Sequence, residues 1–184
     1  MTDAARVVLV GFMGAGKSSV GPALAELLGW SFQDLDDAIE DETGISVPEL
    51  VEKGEATFRE IEARVGRGLL AQSQIVIAVG GGWAAQPGHM TTLDDETVSV
   101  WLEVSPEVAL ERIRKSSTRR PLLEGDDPLG TARGLLEGRI PHYRRSRIRI
   151  DTEGRSPHDV AGEIVERLRS LEDVLPESKR KDLA

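Results

Sequence analysis

Four groups of residues carry chemistry by type and spacing. The first is Gly11-Phe12-Met13-Gly14-Ala15-Gly16-Lys17-Ser18, which reads G-x-x-x-x-G-K-S. Glycines let a backbone curl until several N–H groups converge on one anion. A helix beginning at that point adds the positive end of its dipole. Lys17 is placed to reach the β- and γ-phosphates of a nucleotide, and the Ser18 hydroxyl suits Mg²⁺. Gly14, Ala15, Gly16, Lys17, Ser18 and Ser19 are therefore read as a nucleotide phosphate site. The second group is Asp34 and Asp36, which flank Leu35. In an extended segment their side chains leave the same face, one toward a metal and the other toward a substrate hydroxyl. Asp is also a favoured residue just before a helix; that plainer role is preferred for Asp37, and function for the Asp34/Asp36 pair.

The third group is Gly80-Gly81-Gly82, directly after an apolar run. Without side chains it lets backbone come close to a ligand, although taken alone it fits a bare turn equally well. The fourth group is a set of arginines. Ser116 to Gly125 is polar and basic, then breaks at Pro121 and Gly125. As a flap it would carry Arg120 over the phosphates and neutralise charge developing in phosphoryl transfer; as a plain solvated loop it would do neither. Arg59 and Arg139 fall on predicted helices, where a single arginine usually only faces water. His89, His142 and His158 show no metal-ligand spacing and are read as surface or helix-end residues.

These residues need elements to hold them. Arg6–Val10 is mostly β-branched and apolar, as expected of a strand buried on both faces of a parallel sheet. Val20, Leu24, Leu27 and Leu28 follow at helical spacing, so Lys17–Leu28 is a helix, ended by Gly29. A short strand-like piece from Trp30 delivers Asp34 and Asp36; a helix over Asp37–Thr43 then stops at Gly44. Ser46-Val-Pro-Glu49 has the pattern of a capping box. Phe58, Ile61, Val65 and Leu69 mark one face of a helix from Glu55 to about Ala71. Ile75–Val79, Thr97–Leu102 and Arg147–Ile150 read as strands. Ser105-Pro106 and Ser156-Pro157 open further helices, the first running to about Lys115. Strands alternating with helices imply right-handed crossovers, a parallel sheet and a ligand crevice at the carboxyl ends of the strands. The phosphate loop, the Asp34/Asp36 turn and the glycine triplet should meet there.

Composition bounds the rest. A chain of 184 residues suits a single domain with a proper core, here expected over 1–175 with a polar tail at 176–184. No apolar run approaches the roughly 18 residues of a membrane span. Met1–Arg6 lacks the build of a signal peptide, so a cytoplasmic location is expected. There is no cysteine and hence no disulfide or thiolate site. The net charge of −9 argues against a broad nucleic-acid or anionic-membrane surface. It also makes clustered arginines stand out.

In combination, Gly11–Ser18, Asp34-Leu-Asp36, Phe58-Arg59-x-x-Glu62, Gly80-Gly81-Gly82, Arg120-Pro-Leu-Leu and Arg139-x-x-x-Tyr143 resemble the shikimate kinase family in order and spacing, from about Arg6 to Leu171. The resemblance implies a single α/β P-loop kinase domain, with a five-stranded parallel sheet of order 2-3-1-4-5, helices on both faces and a mobile lid at about 115–127. It implies transfer of the γ-phosphoryl group of ATP to the 3-hydroxyl of shikimate, on the route to chorismate and aromatic amino acids, by a monomer using Mg²⁺. By position, Lys17 and Ser18 would serve the phosphates and the metal, with Asp34 near the metal. Asp36 would bind the substrate hydroxyls as candidate base. Arg59 and Arg139 would clamp the shikimate carboxylate, with Glu62 orienting Arg59 and Gly80, Gly81 and Gly82 lining the pocket. Arg120 would be the lid arginine, and Arg112, Arg155 and Pro157 would flank adenine.

Three positions depart from the family pattern. Trp83 stands where a small residue is usual. The segment between Arg112 and Arg120 is one residue longer, which leaves Arg112 or Arg114 for adenine. Ser18-Ser19 replaces Ser-Thr. Trp83 lends some support to a related gluconate or cyclitol kinase. A non-enzymatic nucleotide switch is the other alternative; a guanine-reading one is disfavoured because the chain has no asparagine.

Overall fold

The structure is a computed structural model and describes residues 4–115 and 125–173. The expected lid falls largely on residues 116–124 and the polar tail on 174–184, both outside the described residues. Arg6–Val10 (β1) is fully buried and pairs in parallel with two neighbours, Ile75–Ala78 (β3) and Thr97–Glu103 (β4). Ser31–Asp34 (β2) lies beyond β3, and Ile148–Asp151 (β5) beyond β4, so the sheet order is β2-β3-β1-β4-β5, all parallel. The apolar runs of β1 and β3 follow from this arrangement, since inner strands of a parallel sheet are covered on both faces. β5, at the edge, alternates buried and exposed instead.

The chain leaves β1 for one edge and then works back across the sheet. With right-handed crossovers, Lys17–Leu28 (α1) takes one face, and Leu35–Thr43 (α2), Val47–Lys53 (α3) and Glu55–Leu70 (α4) take the other. Pro106–Lys115 (α5) and Pro128–Tyr143 (α6) pack on each other, and Pro157–Asp173 (α7) returns to pack against α1. Helix ends follow local rules. Gly29 and Gly44 close α1 and α2 in left-handed conformation, and Ser46 accepts from the Glu49 N–H at 3.4 Å to start α3.

One boundary differs from the sequence expectation in a way that matters. α2 begins at Leu35, two residues earlier than predicted, so Asp36 lies in its first turn and not in an extended segment. Asp34 ends β2 and caps the helix, its Oδ1 accepting from the Asp36 N–H at 3.0 Å. The pair therefore spans a strand-to-helix corner, Asp34 turned to Ser18 and Asp36 set beside Gly80. A short 3₁₀ turn at Trp83–Ala85 also escaped prediction, its glycine-rich approach giving no periodicity to read.

The end of the sheet away from the loops is fastened by Arg6, which is only 7% exposed. Its guanidinium donates to the Leu70 carbonyl at 2.6 Å, to Thr97 Oγ1 at 3.1 Å, and to Asp94 and Glu96 at 2.9 Å each. It thereby ties β1 to the end of α4 and to the approach to β4.

Candidate active site

β1 sits between β3 and β4, so the phosphate loop emerges at the centre of the sheet's carboxyl edge, beside the glycine triplet that follows β3. The loop wraps into α1, with Gly16 as the cap residue in left-handed conformation. Gly14 shows why the pattern needs glycine. Its φ is +76°, and a Cβ there would lie 2.7 Å from the Ala109 carbonyl oxygen of α5. Lys17 Nζ donates to the Gly11 and Phe12 carbonyls at 2.9 and 3.1 Å, which lays the ammonium across the mouth of the loop. Ser18 Oγ donates to Asp34 Oδ2 at 2.7 Å. Hydroxyl and carboxylate thus stand together at the first turn of α1.

A cleft of about 460 Å³ runs from this loop over α1 and is closed by Arg112, Thr152, Arg155 and Pro157. Arg112 spans it, donating to the Gly14 carbonyl at 3.2 Å and to the Thr152 carbonyl at 2.7 Å. Arg114, the alternative residue, instead lines a separate groove with Glu107 and Leu129 between α5 and α6. Arg155 is held by Glu163 at 2.6 Å, and this ion pair draws the Glu163 carboxyl below its usual range. The cleft is lined by Lys17, Arg112 and Arg155 beside the glycine-rich loop, which suits a nucleotide.

The second half of the site surrounds the glycine triplet. A Cβ on Gly80 would lie 3.3 Å from Asp36 Oδ1 and 3.6 Å from Glu62 Oε1. On Gly81 it would lie 3.2 Å from Arg139 Nη1 and 3.4 Å from the Met13 nitrogen of the phosphate loop. On Gly82 it would lie 3.6 Å from Arg59 Nη2 and 3.7 Å from Arg139 Nη2. Three bare backbone positions therefore bring together side chains from α2, α4 and α6, next to the phosphate loop. The sequence left the triplet as evenly a turn or a site; its φ values are not left-handed, so the space each missing Cβ leaves accounts for it.

The guanidiniums in this pocket have donors to spare. Glu62 is 1% exposed and accepts from Arg59 Nη1 at 2.7 Å, one turn away on α4. Arg59 also lies over the Phe58 ring and Arg139 over that of Phe12, at 4.9 and 5.7 Å from the centroids. Yet Arg59 Nε and Arg139 Nη1 are buried without a hydrogen-bond partner, and among the described residues no carboxylate pairs with Arg139. The two guanidiniums come together through their Nη2 atoms at Gly82, and each has a further donor unmet; their flat forks match a carboxylate.

Sequence reasoning missed the part played by Tyr143. It is fully buried, and its hydroxyl donates to the Gly81 carbonyl. Burial pushes its pKa up to about 12, the charge of nearby Arg139 opposing the rise. Its place four residues after Arg139, on the same face of α6, was the available signal. Trp83 is 3% exposed; its ring stacks on His89 at 4.5 Å, and its Nε1 comes within 3.6 Å of where a Gly66 Cβ would stand. The indole belongs to the core between the triplet and α4. Arg120, the last candidate, lies outside the described residues.

A family model described as shikimate kinase matches residues 13–169. The chain is 42% identical over 163 residues to the shikimate kinase of Thermus thermophilus, covering 88% of this chain and 89% of that one. Among solved structures, the shikimate kinase of Acinetobacter baumannii in complex with shikimate superposes with a TM-score of 0.85 at 36% identity, covering 94% of this chain and 96% of that one. A gluconokinase from Sinorhizobium meliloti reaches a TM-score of 0.65 at 20% identity, over 93% of this chain and 95% of that one, a likeness of fold alone.

Proposed function

The chain belongs to the shikimate kinase family, and from that premise and the crevice just described we propose that it transfers the γ-phosphoryl group of ATP to the 3-hydroxyl of shikimate, giving shikimate 3-phosphate and ADP. The observation that carries this reading is the pair of buried, unmet guanidinium donors on Arg59 and Arg139, set beside the Asp36 carboxylate and the phosphate loop. A ring acid bearing a carboxylate at one end and hydroxyls at the other answers both features. The product feeds the route to chorismate and aromatic amino acids.

Each residue has a role in this scheme. Gly14, Ala15, Gly16, Lys17, Ser18 and Ser19 hold the phosphates, and Arg112, Arg155 and Pro157 flank the adenine. Arg59 and Arg139 grip the acceptor carboxylate, with Glu62 keeping Arg59 in plane and balancing part of its charge. Asp36 accepts a hydrogen bond from the attacking hydroxyl, aiming its oxygen at the γ-phosphorus. As the new P–O bond forms and the bond to the β-phosphate oxygen breaks, the hydroxyl proton passes to Asp36. Lys17 stabilises negative charge on the transferred group, and Arg120 is assigned the same task from the lid. Positioning and electrostatics supply most of the rate, since a loose phosphoryl transition state needs little early deprotonation.

The Ser18 hydroxyl and Asp34 carboxylate, 2.7 Å apart, are hard oxygen donors next to the phosphate loop. Among the described residues no group of three or more His, Cys, Asp or Glu gathers as a metal cage. That donor set fits Mg²⁺, which takes few protein ligands and keeps waters and phosphate oxygens. Bound there with ATP, Mg²⁺ supplies charge neutralisation on the phosphates, and Ser18 and Asp34 would hold it.

We further propose that the protein works as a cytoplasmic monomer without nucleic-acid partners. Among the described residues no helix is long and apolar enough to cross a membrane, and the net charge is −9. The test of acceptor is ADP release with ATP and Mg²⁺ in the presence of shikimate, quinate, gluconate or no acceptor. Release that depends on shikimate and exceeds the others is expected. Release that prefers gluconate, or ignores the acceptor, contradicts the proposal.

A further inference from the structure

Tyr143 lies outside the roles given above, yet its hydroxyl touches the glycine triplet. It and Arg139 are one helical turn apart on α6, so both side chains leave the same face. Arg139 Nη1 presses on Gly81, where a Cβ would come within 3.2 Å of it. The Tyr143 hydroxyl donates to the carbonyl of that same Gly81. Arg139, Gly81 and Tyr143 thus close a small ring that joins α6 to the triplet. The phenol ring is fixed behind them by Trp101 of β4, with centroids 6.0 Å apart.

Among the described residues Arg139 is held loosely: it lies over the face of Phe12 and close to Gly82 and the Tyr143 hydroxyl, and its Nη1 has no hydrogen-bond partner. A guanidinium on a long stem loses considerable rotamer freedom when it must meet a carboxylate in one plane. The backbone it leans on must therefore be fixed. Like its glycine neighbours, the Gly81 peptide has no side chain of its own to anchor it, and the Tyr143 hydroxyl supplies an anchor. Phenylalanine would fill the same space and leave the Gly81 carbonyl without this donor.

We infer that Tyr143 is a positioning residue for acceptor binding: by holding the Gly81 carbonyl it sets the surface against which Arg139 presents its donors to the substrate carboxylate. The inference rests on the role proposed for Arg139. It assigns Tyr143 no contact with ATP and no part in proton transfer, so its effect should follow the carboxylate and nothing else.

Kinetics of wild type, Tyr143→Phe, Arg139→Ala and the double variant test this, with the neutral carboxamide of shikimate as a competing ligand. Tyr143→Phe should raise KM for shikimate about tenfold, the size of one lost hydrogen bond. It should leave KM for ATP and the inhibition constant of the carboxamide within about twofold. In the Arg139→Ala background it should add almost nothing, because the two substitutions remove one function. If Arg139→Ala leaves the shikimate KM unchanged, the role of Arg139 fails and this inference falls with it. If Arg139→Ala raises that KM but Tyr143→Phe does not, or if Tyr143→Phe weakens ATP and carboxamide equally, the inference alone is overturned.

A second measurement keeps the hydroxyl in place and covers the case in which Tyr143→Phe does not fold. Tyr143 is the chain's single tyrosine, so growth on 3-fluorotyrosine labels this site alone and gives one ¹⁹F resonance. Shikimate should shift that resonance, and the carboxamide should shift it much less. A resonance that ignores shikimate, or that answers both ligands equally, contradicts the inference.

Discussion

Asp36 and Arg139 carry opposite kinetic predictions, because the proposed scheme sets one against the reacting oxygen and the other against the remote end of the acceptor. Asp36→Asn keeps the size and loses the charge, and should lower kcat by about 10²–10³ while leaving KM for ATP within a few-fold. Arg139→Lys keeps the charge and loses the fork, and should raise KM for shikimate about 10–100-fold with a smaller change in kcat. Steady-state kinetics with each substrate varied in turn separate the two. Asp37, one residue on, behaves differently. Partial burial, and then the neighbouring carboxylates Asp34, Glu40 and Asp41, raise its pKa. The folded chain binds that proton more tightly than the unfolded chain, so stability associated with Asp37 is present at low pH and is lost as pH rises through its raised pKa. Asp37→Asn should therefore be neutral to slightly stabilising at pH 7, by about 0.5 kcal/mol or less given its exposure, as urea denaturation would show.

At the scale of elements, glycines separate positions that shape the fold from those that shape the pocket. Gly14→Ala forces a side chain into left-handed backbone and against the Ala109 carbonyl of α5. It should cost about 1–3 kcal/mol of stability and abolish ATP binding, measurable by thermal melts with and without ADP. Gly81→Ala meets instead the movable tip of Arg139; the fold should survive, and KM for shikimate should rise. This contrast also marks what could be read from the sequence. β1, α1 and the cap at Gly29 were legible because apolar period and glycine punctuation are local signals. The G-x-x-x-x-G-K-S loop was legible because its residue types answer one ligand. The early start of α2 was not, because Asp34 is at once the last strand residue and the cap of the helix, a choice settled by the β2–β3 pairing. Nor was the reason for three consecutive glycines, which lies in Asp36, Glu62, Arg59 and Arg139 arriving from three helices. Arg59 and Arg139 by themselves looked like solvated helix positions, and only long-range packing sets them apart.

For the molecule as a whole, the Arg6 fastening and the proposed site lie at opposite ends of the sheet. Arg6 closes the base, far along β1 from the phosphate loop. Arg6→Ala should cost about 2–4 kcal/mol, because it removes the donor to the Leu70 carbonyl and the buried link to Thr97, Asp94 and Glu96. It should lower Tm by roughly 5–15 °C while kcat and both KM values at 25 °C stay within twofold. The other end gathers Lys17, Arg59, Arg112 and Arg139 in a chain whose net charge is −9, a distribution that draws anionic substrates to one crevice. The central claim is that this crevice holds a carboxylate at one end and presents a hydroxyl to the nucleotide at the other. A crystal structure with ADP and shikimate tests it most directly. The account predicts the carboxylate within about 3 Å of both Arg59 and Arg139, with a ring hydroxyl on Asp36 facing the phosphate loop. Shikimate bound away from the glycine triplet, or reversed with its carboxylate toward Asp36, would contradict it.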